Sequence, residues 1–322
     1  MKRINIGLLG LGNIGSGTYK VLELNRKHIE ATTGLDLRIA KILELDTTRE
    51  RGFAVGPEKF TQDPEAIFAD PDIDIVIELL GGVEPATSHM LAALKAGKSV
   101  VTANKAALAE NYEALTEAAK ASGAQLRFEA SVGGGIPLVG AITELLCANE
   151  FTEILGILNG TTNYILTKMA EEGRAYEEVL KEAQALGFAE ADPTADVEGH
   201  DVANKLSILM SIVFGTRVRP EGIPTRGISQ ITKKDIEEAE AEGCVIKLLA
   251  SAFKTADGVE CFVQPTYLNK THPLADVRNE FNALFIKGNA VDDLMLYGKG
   301  AGPFPTASAV LGDAIAIAKT LP

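Results

Sequence analysis

The strongest constraint on the fold is a glycine-rich loop that begins ten residues from the N-terminus. Segment 4–9 is aliphatic with little alternation, which is typical of a parallel strand buried on both faces. A G-x-G-x-x-G pattern follows at residues 10–15 and opens a helix-forming segment. In such a unit the glycines allow a tight turn, close approach of a pyrophosphate and close helix–strand packing, and the helix N-terminus holds the anion. The loop therefore predicts a dinucleotide site contacted by Gly10, Gly12, Asn13, Ile14 and Gly15.

The rest of the chain divides into two patterns. Strand-like segments 37–43, 74–79, 99–102 and 126–129 alternate with helix-like segments 84–96 and 111–122, which predicts an α/β domain with a Rossmann-type, doubly wound parallel sheet. After about residue 140, strands at 151–158, 260–268 and 283–286 lie among helices at 162–172, 176–186, 202–213 and 233–242. That pattern favours an α+β domain whose sheet is covered on one face. We expect residues 1–140 and about 301–322 to form the dinucleotide-binding domain, and 141–300 to form a substrate-binding and dimerisation domain.

Charge and cysteine content exclude several classes of protein. The 322 residues include 31 Lys and Arg against 44 Asp and Glu, a net charge of −13, which disfavours nucleic acid as a partner because phosphate backbones require a basic face. Three cysteines without a C-x-x-C pair indicate reduced thiols and a cytoplasmic protein. Glycines interrupt the apolar N-terminal run, so we expect neither a signal peptide nor a membrane partner.

The end of the second predicted strand bears on the choice of dinucleotide. A carboxylate at this position accepts hydrogen bonds from a ribose 2′-hydroxyl and repels a 2′-phosphate. Glu44 or Asp46 would therefore favour NAD, whereas Arg49 and Arg51 would suit NADP. Since the carboxylates are nearer to the strand end than the arginines, we expect NAD to be used at least as well as NADP.

The second domain contains five carboxylates within residues 190–201, followed by one lysine. Asp201 and Lys205 are four residues apart and share one face of a predicted helix. Three interpretations stay open on residue types alone. The segment is a surface helix pair with an acidic loop, a divalent-metal site without histidines, or a pocket for a substrate ammonium group with Lys205 as the proton-transfer residue.

Several stretches of the chain match the motifs of one enzyme family: GLLGLGNIGSG at 7–17, ELLGG at 78–82, TANKAALA at 102–109, EASVGGGIP at 129–137, NGTTNYIL at 159–166 and GAGPFPTASAV at 300–310. Together these stretches resemble homoserine dehydrogenases. Residues 183–205 match the family's A-x-x-x-G-F-x-E-x-D-P-x-x-D-x-x-G-x-D-x-x-x-K spacing at every fixed position. The resemblance implies NAD(P)-dependent interconversion of L-homoserine and L-aspartate 4-semialdehyde, in the biosynthesis of threonine, methionine and isoleucine.

The resemblance also implies roles for particular residues. Lys205 and Lys105 are the expected catalytic residues, one from each domain, and a nearby second cation would make Lys205 a better acid by lowering its pKa. Glu190, Asp201 and Asp196 are the expected substrate residues, with Asp196 either orienting Lys205 or capping the next helix. Gly81, Lys105, Gly187 and Gly302 join the loop residues as expected cofactor contacts, together with Glu44 from its place at the end of the second strand. A monovalent cation, usually sodium, is expected at Glu129 and the backbones of Val132, Gly134 and Ile136.

Two departures and two alternative functions accompany the resemblance. The chain ends soon after PFPTAS, so we expect no C-terminal ACT domain and little inhibition by threonine. The Glu44-Leu45-Asp46 segment replaces the arginine that many members carry.

The alternative functions are another Rossmann semialdehyde reductase, which would need a thiolate nucleophile, and a non-catalytic NAD-binding sensor. The expected assembly is a homodimer or a dimer of dimers, because residues 243–290 carry more apolar surface than one helical layer covers.

Overall fold

The computed structural model describes residues 1–321, which form two compact units: residues 1–135 with 302–321, and residues 136–301. In the first unit the strands are β1 (Lys2–Leu9), β2 (Leu35–Leu43), β3 (Phe60–Thr61), β4 (Ile75–Glu78), β5 (Ser99–Thr102) and β6 (Leu126–Arg127). The helices that connect them are α1 (Asn13–Thr33), α2 (Glu65–Phe68), α3 (Ala86–Lys95) and α4 (Lys105–Ser122).

The six strands of the first unit form one parallel sheet in the order β3-β2-β1-β4-β5-β6. This is the strand order of a Rossmann sheet, so the predicted doubly wound fold is confirmed. The strand order reverses between β1 and β4, and ligands of such sheets bind beyond the carboxyl ends of the strands at that point. The glycine loop and Gly81 both follow strands that end there.

The second unit contains an antiparallel sheet in the order β11-β10-β7-β8-β9. Its strands are β7 (Phe151–Ile157), β8 (Cys244–Thr255), β9 (Gly258–Asn269), β10 (Phe281–Gly288) and β11 (Asp292–Lys299). Its helices are α5 (Gly160–Glu172), α6 (Tyr176–Ala185), α7 (Thr194–Val197), α8 (His200–Val213) and α9 (Lys233–Ala241). The predicted α+β class of this region is confirmed.

The chain then returns to the first unit as α10 (Pro303–Thr320). Aliphatic side chains of α1 and α10 form one buried cluster with the central strands; its members include Leu22, Val310, Ile317, Ile6 and Ile77. Gly17 makes this contact possible, since a Cβ there would lie 2.6 Å from the carbonyl oxygen of Pro303. The helices α3 and α4 pack on β4, β5 and β6. Within residues 1–321, none of the helices is long and apolar enough to cross a membrane.

Candidate active site

The glycine loop has the geometry that an approaching pyrophosphate requires. Gly10 adopts φ +90°, a left-handed conformation that favours glycine, and Gly15 is buried so close to Gly10 that a Cβ would lie 2.1 Å from its carbonyl oxygen. A Cβ on Gly12, in contrast, would meet no atom of residues 1–321 within 4 Å. Gly12 is also the N-cap of α1, and no side chain caps the helix or places an acidic group in its first turn. The amides at the start of α1 are thus suited to an anion.

Glu44 and Arg51 meet at the end of β2. The backbone N–H of Leu11 donates to Glu44 Oε2 at 3.0 Å, and a guanidinium nitrogen of Arg51 lies 3.2 Å from the same oxygen. Arg51 also donates to the backbone oxygens of Leu11 at 3.3 Å and Asp46 at 2.6 Å, and its side chain is only 6% exposed. The side chain of Arg51 therefore folds back onto the loop and lies beside Glu44, so the expected advantage of the carboxylates in distance does not hold against this arginine.

Asp46 acts locally in this segment. Its carboxylate accepts hydrogen bonds from the side chain and backbone N–H of Thr48 and from the backbone N–H of Arg49, and these bonds lower the pKa of Asp46. Such bonds fix the turn after β2. Between the two candidate carboxylates, Glu44 is the one that contacts the glycine loop.

The ends of β4 and β5 carry a buried polar network. Glu78 is completely buried, and its two carboxylate oxygens accept from the Thr102 hydroxyl at 2.6 Å and the Leu80 N–H at 2.7 Å. Burial raises the pKa of Glu78. Asn104 donates to the backbone oxygen of Gly82 at 2.7 Å and accepts from the Ala107 N–H, so it caps α4.

This network determines where Lys105 lies. Because Asn104 is the N-cap, Lys105 is the first residue of α4, six residues before the helix start expected from the sequence. Lys105 is half-buried, next to the loop that carries Gly81. A Cβ on Gly81 would meet no described atom within 4 Å, so this loop, like Gly12, has an open approach.

The segment after β6 forms a tight turn around a buried carboxylate. Glu129 is buried in a 3-10 turn, and its N–H donates to Asp313 on α10 at 2.7 Å. Gly133 and Gly134 follow with φ of +77° and +57°. Carboxylate and carbonyl oxygens are the ligands that hard cations prefer, and this turn contains one buried carboxylate. The expected ligands Glu129, Val132 and Gly134 lie in the first unit, and Ile136 is the first residue of the second.

In the second unit, the acidic segment and the end of β7 meet around Lys205. Lys205 Nζ lies 2.7 Å from Asp201 Oδ2 and donates to the backbone oxygen of Leu158 at 2.6 Å. Both side chains are under 10% exposed. The first of the three interpretations, an exposed surface pair, is thereby excluded. Across residues 1–321, no three or more His, Cys, Asp and Glu side chains are grouped so as to hold a metal ion.

Asn159 is the site residue that the sequence analysis did not assign. Its Nδ2 donates to Asp196 Oδ1 at 2.7 Å and to Asp201 Oδ2 at 2.9 Å. Its Oδ1 accepts from the Thr162 N–H at 2.9 Å and caps α5. Its position in the NGTTNYIL stretch, one of the motifs shared with the family, was the sequence feature that could have marked it as a site residue. Asp196 does not cap α8, because Gly199 is the N-cap there and no side chain caps that helix.

The turn that carries Gly187 and Glu190 is fixed to the start of α5. The Thr161 hydroxyl donates to the backbone oxygen of Phe188 at 2.5 Å, and the rings of Phe188 and Tyr164 lie 4.9 Å apart. Glu190 is exposed on this turn. Gly187 adopts φ +77° just after α6, so the end of the helix alone explains a glycine there. In the first unit, Gly302 is the N-cap of α10 with φ +116°.

Comparisons with known proteins agree over almost the whole chain. The family model "Homoserine dehydrogenase" matches residues 137–315, and "Homoserine dehydrogenase, NAD binding domain" matches residues 10–129. The homoserine dehydrogenase of Bacillus subtilis is 45% identical over 321 residues, covering 100% of this chain and 74% of that protein. That of Corynebacterium glutamicum is 45% identical, covering 98% and 72%.

Solved structures give the same result. A homoserine dehydrogenase from Thiobacillus denitrificans superposes with a TM-score of 0.94 at 44% identity, covering 99% of this chain and 74% of that one. A hyperthermophilic archaeal homoserine dehydrogenase in complex with NADPH superposes with a TM-score of 0.83 at 27% identity, covering 99% of both chains. With the dinucleotide loop of the first unit and the buried lysine–carboxylate pair of the second, these matches identify an NAD(P)-dependent oxidoreductase that acts on homoserine: the chain belongs to the homoserine dehydrogenase family.

Proposed function

We propose that the chain interconverts L-homoserine and L-aspartate 4-semialdehyde and that Lys205 is its proton-transfer residue. The observation that carries this assignment is the buried pair of Lys205 and Asp201, with Nζ 2.7 Å from Oδ2. When bound, the dinucleotide supplies a hydride to the aldehyde carbon or takes one from the alcohol carbon. In the reductive direction the Lys205 ammonium gives its proton to the aldehyde oxygen, leaving an alcohol and a neutral amine. In the oxidative direction the neutral amine takes the hydroxyl proton.

The remaining residues bind and orient. Glu190 is exposed on its turn, so its carboxylate is available to the substrate ammonium group. Asp196 and Asp201, which both accept from Asn159, are the other proposed substrate residues. In the first unit, the N–H groups of Asn13, Ile14 and Gly15 at the start of α1 would hold the pyrophosphate. Gly81, Lys105, Gly187 and Gly302 are the further proposed cofactor contacts. Lys105 is the second proposed catalytic residue, and it adds positive charge at the start of α4.

Both NAD and NADP are proposed as cofactors. Glu44 suits a free 2′-hydroxyl, whereas Arg51 beside it suits a 2′-phosphate. A monovalent cation, Na⁺, is proposed at Glu129 and the carbonyls of Val132, Gly134 and Ile136. It would stiffen the turn after β6 and take no part in proton transfer.

The proposed assembly is a homodimer, formed through one face of the antiparallel sheet. Phe253 and Phe262 are half-buried on this face, and Met295 and Tyr297 are 36% and 51% exposed. Such an apolar surface favours an isologous contact. The three unpaired cysteines, Cys147, Cys244 and Cys261, support a cytoplasmic location. The threonine, methionine and isoleucine pathways are the proposed setting, because homoserine precedes all three.

The direct test follows homoserine-dependent reduction of NAD and NADP at the absorbance of the reduced nicotinamide. Turnover that needs homoserine and dinucleotide together supports the proposal. A protein that binds dinucleotide but does not oxidise homoserine would instead be the sensor alternative. Loss of turnover by direct alkylation of a cysteine would favour a thiolate-dependent semialdehyde enzyme. Turnover with and without Na⁺, at constant ionic strength set by a larger organic cation, tests the cation site.

A further inference from the structure

The carboxamide of Asn159 joins the two carboxylates of the substrate unit. Its Nδ2 lies 2.7 Å from Asp196 Oδ1 and 2.9 Å from Asp201 Oδ2, so one nitrogen supplies both hydrogens to different acids. Asn159 is only 5% exposed. A side-chain amide has two donor hydrogens and one acceptor oxygen, and here the oxygen is used by the Thr162 N–H. Every hydrogen-bonding atom of the Asn159 side chain is therefore engaged.

The same Asp201 oxygen also accepts from Lys205. Asp201 Oδ2 is 2.7 Å from Lys205 Nζ, so Asn159 and Lys205 share one carboxylate oxygen. Two carboxylates held by one amide repel each other, because like charges are brought together. A donor placed between them stabilises the ionised form of both. The negative potential at Lys205 thus depends on the state of Asp196 and Asp201, which Asn159 sets.

We infer that Asn159 is a positioning residue that fixes the ionisation of Asp196 and Asp201 and, through Asp201, the acidity of Lys205. This inference rests on the proposed role of Lys205. This role is separate from helix capping, because the N-cap of α5 uses only Oδ1 of Asn159 and does not require the hydrogen bonds of Nδ2. The other elements and segments that contact α8 carry further charged groups, which stay unchanged in the test below: Glu144, Arg217, Glu221, Lys247, Lys254 and Glu260.

Two substitutions separate positioning from capping. Asn159→Asp keeps the acceptor for the Thr162 N–H and the side-chain shape, and exchanges the donor for a third carboxylate. Asn159→Ser also retains a good N-cap but is too short to bridge the two acids, and it adds no charge. Thr232→Ala is the matched control. It removes the capping box of α9 in the same unit, in which Thr232 and Asp235 bond to each other.

The expected result is a shift in the pH profile. In Asn159→Asp the added negative charge favours the charged form of Lys205, so the midpoint of homoserine oxidation should move up by about one pH unit. In Asn159→Ser, kcat should fall about tenfold or more, within the range of acid–base contributions, with a smaller change in KM. Thr232→Ala should lower the melting temperature and leave kcat and the midpoint unchanged.

A second readout does not depend on activity. Trace acetylation with acetic anhydride across pH, followed by mass spectrometry of the Lys205 peptide, reports the pKa of that amine directly. An upward shift in Asn159→Asp supports the inference. An unchanged midpoint and labelling curve in both variants, with kcat within twofold, would overturn it. Wild-type protein without homoserine turnover would refute the proposed function instead, and the labelling curves would still decide the part played by Asn159. If Asn159→Asp does not fold, the kcat of the uncharged Asn159→Ser variant and the acetylation curve of its Lys205 test the role of Asn159.

Discussion

The guanidinium of Arg51 lies 3.2 Å from Glu44 Oε2, and that oxygen also accepts from the N–H of Leu11 in the glycine loop. A positive and a negative side chain therefore occupy the end of β2 together, where the ribose of a dinucleotide is distinguished. Neither charge dominates by distance alone. We therefore expect discrimination between NAD and NADP to depend on whether the ribose 2′-hydroxyl or 2′-phosphate contacts Glu44 or Arg51.

Substitutions of the two residues should change cofactor preference in opposite directions. Arg51→Leu should lower kcat/KM for NADP more than for NAD, by about tenfold or roughly 1.4 kcal/mol. Glu44→Gln should move the ratio several-fold toward NADP, because a carboxylate repels the 2′-phosphate. Specificity constants for both cofactors measure this. Equal losses with both cofactors would show that the pair only holds the loop.

Lys205→Ala should depress turnover by about 10²–10⁴-fold and leave dinucleotide binding nearly intact, since the lysine lies in the second unit. The matched control is Lys168→Ala. Lys168 also forms a lysine–carboxylate pair at i and i+4, with Glu172 at 2.8 Å, but that pair is on the surface of α5. Stopped-flow turnover and dinucleotide titration check both variants. Near-normal turnover of Lys205→Ala would reject the catalytic assignment.

Two alanine substitutions in the glycine loop should have separable effects. Gly12→Ala meets no described atom within 4 Å, so the melting temperature should stay close to wild type while dinucleotide affinity falls. Gly15→Ala places a Cβ 2.1 Å from the Gly10 carbonyl oxygen and should destabilise the fold itself. Calorimetry and dinucleotide titration of each variant measure the two effects. Unchanged affinity in Gly12→Ala would place the pyrophosphate elsewhere.

Glu78 should make stability depend on pH in the acidic range. Burial raises its pKa in the folded protein, so folding favours the protonated acid. Its stabilising contribution is full below the unfolded pKa of about 4.3 and is lost as pH rises through the folded pKa. Glu78→Gln should therefore flatten the fall in melting temperature over that interval. Parallel slopes in the two proteins between pH 4 and 7 would contradict this.

The sequence predicted those features that depend on local spacing. Apolar periodicity predicted the strands of the parallel sheet, and glycine spacing predicted the loop. The i, i+4 spacing predicted that Asp201 and Lys205 share one helix face. Asn159 was not assigned, because its two acidic partners lie 37 and 42 residues further along the chain and meet it only after folding. Arg51 was misjudged for a related reason, since its position depends on how the loop after β2 folds back. Strand β11 was missed because alternate residues face solvent, and its first residues are two aspartates.

The last prediction concerns Lys247, which is 4% exposed on β8 and donates to Asn163 Oδ1 at 3.0 Å and to the backbone oxygen of Val277. Burial lowers its pKa to about 8. A neutral amine still has two hydrogens for these two acceptors, so deprotonation need not break either bond. Between pH 8 and the unfolded pKa of about 10.4, the unfolded chain holds the proton and the folded chain does not, so this residue's contribution to stability rises with pH.

Lys247→Met removes that contribution. The unfolding free energy of the wild type minus that of Lys247→Met should increase between pH 7.5 and 9.5. The increase should be on the order of 1 kcal/mol per pH unit above the folded pKa. Urea unfolding at both pH values measures it, with Lys254→Met as the control, because Lys254 is on the same strand with its side chain 53% exposed. The control should show no such growth. A constant difference for Lys247→Met would mean that its ammonium stays charged in the folded protein throughout this range.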